Sequence, residues 1–188
     1  MKNLNKIAIC GVILLVVGFG WGVIHKELAG DKVFNCDGKV VSLNTKIDVN
    51  NGEYIIEGNI LRLWEDPLTI SDNKGNKRGT AGDNYDFITQ DDHVIKTENG
   101  QLIMKGNFSL FGDRYEIVKN DETIAYAKYN MFDTKGTIES VNGEIISRYS
   151  SFIFMRDFEV SFNSNEILSE EEVLLIHAAY YSDKVFDK

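Results

Sequence analysis

The chain has 188 residues, 26% of them charged and 43% hydrophobic, with a net charge of -9. That length holds one folded domain of roughly 150 residues beside a terminal apolar segment. The acidic balance argues against general nucleic-acid binding, which needs clustered positive charge against phosphates. The two cysteines, Cys10 and Cys36, give no disulfide framework, because Cys10 lies in the apolar segment and Cys36 stands alone beyond it.

Lys2 and Lys6 precede an uncharged run over 7–24, which is closed by His25, Lys26 and Glu27. At about 1.5 Å per residue the run covers roughly 27 Å, close to the hydrocarbon thickness of a bilayer. Trp21 falls near the far interface, where its ring is favoured. The pattern predicts a leader and a single transmembrane helix over 1–30. A cleaved signal peptide is the competing reading, but Ala29 has no small partner two places earlier. The short basic leader places the rest of the chain outside the cytoplasm. Gly18 and Gly22 have the spacing at which membrane helices approach one another, a weak pattern on its own.

Residues 31–38 read as a linker, and the domain as 39–188. From Lys39 onward the chain reads as strands and hairpins. Asn51-Gly52, Asn99-Gly100 and Asn142-Gly143 are the dipeptides of tight hairpins, whose two central residues need positive φ. Related turn chemistry stands at Asp72-Asn73-Lys74-Gly75, Lys119-Asn120-Asp121-Glu122 and Asp133-Thr134-Lys135-Gly136. Six hairpins imply about twelve antiparallel strands, neighbours in sequence order. Pro67 marks a loop or strand end. Phe158, Val160 and Phe162 alternate with Glu159, Ser161 and Asn163, which predicts a strand with one buried face.

Near the end, Ser169-Glu170-Glu171-Glu172 is followed by an apolar run interrupted only by His177. Ser169 can cap a helix and Glu172 can complete a capping box, so a helix is predicted over 169–183. It is apolar around most of its circumference and too short to span a bilayer, so it needs protein on every side. A closed twelve-stranded barrel is wider than side chains alone can fill, and a helix about 10 Å across suits the space. The predicted fold is therefore mainly β: a closed antiparallel barrel of about twelve strands enclosing the C-terminal helix, preceded by one transmembrane helix. A two-sheet sandwich or a lipocalin-like cup with the helix outside is the alternative.

The order of Gly112-Asp113-Arg114-Tyr115-Glu116-Ile117, Glu122-Thr123-Ile124-Ala125-Tyr126-Ala127-Lys128, the Phe158-Glu159-Val160 strand and the Leu174-Leu175-Ile176-His177-Ala178-Ala179-Tyr180 helix resembles the LURP-one-related branch of the tubby C-terminal-like superfamily. The resemblance covers 39–183 and implies a twelve-stranded barrel around a central C-terminal helix. It implies no catalytic signature. Tubby domains bind phosphoinositide headgroups and phospholipid scramblases are placed in the same superfamily, so a lipid ligand is within what it implies.

No P-loop, dinucleotide fingerprint, nucleophile elbow or zinc-binding spacing occurs, so no catalytic residue, cofactor or metal is assigned. Asp91-Asp92-His93 reads as a solvated turn, and His177 as a core histidine bonded to a barrel carbonyl. Lys74, Lys77 and Arg78 form a compact basic group and are the candidates for a lipid headgroup. Function on these terms is a membrane-anchored binding or scaffold module for a lipid headgroup, a peptide or a protein. The alternative is a hydrolase or a lipid-moving, scramblase-like activity. The partners expected are the membrane itself and one such ligand, without nucleic acid.

Overall fold

The computed structural model describes residues 30–41, 44–59, 67–83, 92–107, 112–151 and 157–186. The predicted span over 7–24 lies outside them, and among the described residues no helix is long and apolar enough to cross a membrane. Twelve antiparallel strands run in sequence order: β1 (Lys32–Val41), β2 (Asn44–Val49), β3 (Tyr54–Asn59), β4 (Leu68–Asp72), β5 (Lys77–Asp83), β6 (His93–Thr97), β7 (Gly100–Asn107), β8 (Arg114–Lys119), β9 (Glu122–Tyr129), β10 (Lys135–Ser140), β11 (Ile145–Ser151) and β12 (Phe158–Phe162). Each pairs with its sequence neighbour, and β1 pairs with β12, from Lys32 opposite Phe162 to Cys36 opposite Phe158, which closes the barrel. Closure leaves no sheet edge for another chain to extend.

Up-and-down strands put alternate connections at opposite rims. The near rim carries the start of β1 and the tight turns 50–53, 73–76, 98–99, 120–121 and 141–144. The far rim joins the strands flanking 42–43, 60–66, 84–92, 108–113, 130–134 and 152–157. Helix α1 (Glu170–Phe186) starts at the near rim and runs through the barrel to the far one, about 25 Å at helical rise.

The helix lies inside because its sequence leaves no wet face. From Glu172 to Ser182 every residue is buried, with Leu175, Ile176, Ala178 and Tyr180 at 0% exposure. Around it the inward residues of the strands complete one core, including Phe34, Ile47, Ile56, Ile70, Ile95, Met104, Ile117 and Ile138. The sandwich and the open cup are thereby excluded. The predicted capping box is present: the Ser169 amide donates to Glu172 Oε2 at 2.8 Å, and the Glu172 amide to Ser169 Oγ at 3.3 Å.

Three expectations need correction. Residues 31–38 are mostly not a linker, because β1 begins at Lys32 and points Phe34, Cys36 and Gly38 inward against β2 and β12. Three apolar side chains, Val33, Phe34 and Cys36, among Lys, Asn, Asp and Gly read weakly as a strand, and pairing on both sides supplies the rest. At the first Asn-Gly both residues take positive φ as expected, Asn51 at 55 and Gly52 at 96, and Asn120 and Asp121 do the same at 53 and 65. At the second Asn-Gly the turn residues are Glu98 and Asn99, and Gly100 (φ 111) opens β7. Gly136, predicted in a turn, lies within β10 under the Tyr129 ring, where a methyl group would stand 2.4 Å from Tyr129 Cδ1.

Candidate functional surfaces

Lys74, Lys77 and Arg78 do come together, all exposed, on the β4–β5 hairpin at the near rim. The turn is organised by Asp72 rather than by the cations. Its Oδ1 accepts the Lys74 and Asn76 amides, both at 2.9 Å, and its Oδ2 accepts Asn76 Nδ2 at 3.0 Å. These bonds, Asn76 first, hold the Asp72 carboxyl below its ordinary pKa, with Arg78 Nε 3.6 Å away adding to the effect. The basic group thus surrounds a fixed carboxylate, which weakens its field toward an anion.

Asp91 lies outside the described residues, and Asp92 and His93 each hold a partner elsewhere in the fold. Asp92 Oδ1 accepts the Gly106 amide at 2.9 Å. His93 is not a solvated turn residue: it opens β6, is 2% exposed, and places Nε2 2.9 Å from Asp183 Oδ2 on the helix. The pairing spans 90 residues of chain and left no local signal.

His177 sits at the centre of the barrel, fully buried, with Nδ1 2.9 Å from the Tyr129 hydroxyl and Nε2 2.8 Å from Ser147 Oγ. Its partners are two hydroxyls, not the carbonyl expected. Burial drives its pKa from the ordinary 6.5 to about 3, so the ring is neutral under ordinary conditions, one nitrogen donating and the other accepting. Around it Tyr129 and Tyr180 stack with centroids 3.4 Å apart, and Tyr115 and Tyr149 meet Tyr180 edge-on. The Tyr180 hydroxyl donates to Asp133 Oδ1 at the far rim. Desolvation first, then neighbouring phenols and carboxylates, holds Tyr129 well above its usual range, so the tyrosines are neutral hydrogen-bonding groups.

At the near rim Lys32 bridges Glu53 and Glu170 at 2.5 and 2.8 Å, which ties the start of β1 to the start of α1. Thr97 Oγ1 donates to Glu172 Oε1 at 3.2 Å, and Lys119 Nζ lies 3.8 Å from the same oxygen. Among the described residues no group of three His, Cys, Asp or Glu side chains could hold a metal ion.

A second basic group escaped the sequence because register, not proximity in the chain, assembles it. Across the outer wall Arg114 stands opposite Lys128, Lys128 opposite Thr137, and Thr137 opposite Arg148. At about 4.8 Å per strand the row spans roughly 14 Å. Lys135 lies on the same face of β10, two residues nearer the far rim. Beside them Met131 and Phe132, 62% and 61% exposed, form the tip of the β9–β10 connection. Comparison with known protein families, with curated proteins and with solved structures finds no match to this chain.

Proposed function

We propose that the chain is a membrane-anchored, tubby-like barrel of the LURP-one-related kind that works as a binding or scaffold module for a lipid headgroup, a peptide or another protein. The interior carries this reading. Helix α1 fills it, and ionisable side chains that reach it hold partners there: His177 with Tyr129 and Ser147, His93 through Nε2 with Asp183, Glu172 with Ser169 and Thr97. Recognition therefore falls to the outer surface and the rims. A hydrolase or lipid-moving activity would need titratable groups converging on a concave site, and Asp92 and His93 are committed to separate partners. Residues 7–24 supply the anchor, and the basic leader holds the barrel on the extracytoplasmic side.

The test is topology in intact cells. Cys36 is 2% exposed and burial, followed by the charge of Glu159, raises its thiol pKa, so it stays unreactive toward a maleimide. A Cys10→Ser, Lys188→Cys chain treated with a membrane-impermeant maleimide should label before lysis. Labelling only after lysis rejects the extracytoplasmic placement, and recovery in the soluble fraction rejects the anchor.

A further inference from the structure

The row Arg114, Lys128, Thr137 and Arg148 continues by register to Ser161 on β12. The chain joins the barrel at that same place. Gly30 lies against the outer side of β12, where a methyl in place of its hydrogen would stand 3.1 Å from Ser161 Cβ and 2.9 Å from the Phe162 carbonyl oxygen. Asp31 Oδ2 accepts the Ser164 amide at 2.8 Å and pins the junction. Only residues 25–29 then separate the predicted span from the barrel, a leash of at most about 17 Å. A membrane holding 7–24 is within reach of this wall.

Beside the row, at the far rim, the β9–β10 connection carries an apolar tip held in one shape. Asn130 Oδ1 accepts the Thr134 and Lys135 amides at 2.9 and 3.1 Å, and the Asn130 carbonyl accepts the Asp133 amide at 2.9 Å. Ser151 Oγ donates to the Asp133 carbonyl at 2.9 Å, and its amide to the Thr134 carbonyl at the same distance. Met131 and Phe132 project from this braced connection into solvent. Displaying them costs little ordering when they are buried elsewhere.

Resting on the anchored-module reading, we propose that the outer wall of β8–β11 docks on the anionic surface of the bilayer that holds residues 7–24, with Met131 and Phe132 sinking into the headgroup boundary and Arg114, Lys128, Lys135 and Arg148 facing lipid phosphates. Apolar burial plus attraction to anionic lipid is the combination by which surface-seated segments hold a membrane. Glu139, which pairs with Lys128, and Glu116 lie on the same wall and set a limit on that attraction. The near rim is a poorer surface for the purpose, since its turns expose Glu98, Asp121, Glu122, Glu144 and Glu166. The barrel lies on its side, and the Lys74, Lys77 and Arg78 turn on β4–β5 is not the contact.

The full chain with Cys10→Ser and Met131→Cys, carrying a nitroxide at 131 and leaving Phe132 in place, is reconstituted into phosphatidylcholine nanodiscs with and without phosphatidylglycerol. With anionic lipid, collisions with a water-soluble nickel chelate should fall and collisions with oxygen should rise. Adding Arg114→Gln, Lys128→Gln and Arg148→Gln should abolish that change, while Lys74→Gln, Lys77→Gln and Arg78→Gln leave it intact. A label equally reachable by the chelate in both lipids, as a protein partner for this wall would leave it, overturns the proposal. So does a change abolished by the β4–β5 set instead. A second nitroxide at Leu14→Cys separates the two readings: lipid at 14 with water at 131 rejects only the docking, whereas water at 14 rejects the anchor.

Discussion

Acid should loosen the barrel through His177. Its folded pKa of about 3 lies below the ordinary 6.5, so between those values the unfolded chain binds a proton that the folded one refuses. Stability contributed by the neutral ring is therefore complete above pH 6.5 and is lost as pH falls toward 3. At pH 5 the gap from 6.5 is 1.5 units, which at 1.36 kcal/mol per unit is a loss of about 2 kcal/mol. The comparison protein is the His177→Leu, Tyr129→Phe, Ser147→Ala triple variant, which removes all three polar partners rather than stranding two hydroxyls in the core. Urea unfolding of both full chains at pH 7.5 and pH 5 gives the difference. His25 and His93 are present in both and cancel, and Glu53 and Asp72, whose carboxyls are held below their ordinary 4.5 and 3.8, lose their contributions at lower pH. Wild type should lose about 2 kcal/mol more than the variant over this interval. Equal losses, or a resonance assigned to the His177 imidazole that titrates near pH 6.5, would refute the buried neutral ring.

Two further substitutions probe how strand and helix are fitted. Gly136→Ala places a methyl 2.4 Å from Tyr129 Cδ1 and should cost about 1–3 kcal/mol, read as a lower thermal midpoint together with altered near-ultraviolet dichroism of the tyrosines. An unchanged midpoint would mean the ring does not cover β10 there. Glu172→Ala removes the capping box and the acceptor for Thr97, and should cost about 1–2 kcal/mol in chemical denaturation. Glu166→Ala, on an exposed residue before the helix, is the control expected to cost little.

What could be read from the chain was what neighbouring residues decide. Ser169 and Glu172 stand three apart and cap the helix as that spacing requires, and the alternation from Phe158 to Phe162 became β12. The helix's apolar circumference implied enclosure, because such a surface costs free energy wherever it meets water. The failures share a cause in the opposite direction. His93 needed Asp183, His177 needed Tyr129 and Ser147, and β1 needed both β2 and β12, all partners distant in the chain. The row of Arg114, Lys128 and Arg148 has no local signature, since cross-strand register decides which exposed residues become neighbours. The second Asn-Gly differed for a subtler reason: such a pair suits more than one hairpin geometry, and the strand pairing on either side selects among them, so Gly100 opens β7 while Asn51 and Gly52 both keep positive φ.

Hydrogen exchange along α1 in the full chain, reconstituted in nanodiscs, tests most directly the enclosure from which the functional reading follows. A helix threaded through a closed barrel can expose its amides only when the barrel opens. Amides 173–182 should therefore exchange with the free energy of global unfolding, the slowest class in the protein. Exchange at the rate of the exposed turns, with the strands still protected, would put the helix outside the barrel, leave the interior open to a ligand, and contradict a function carried by the outer surface.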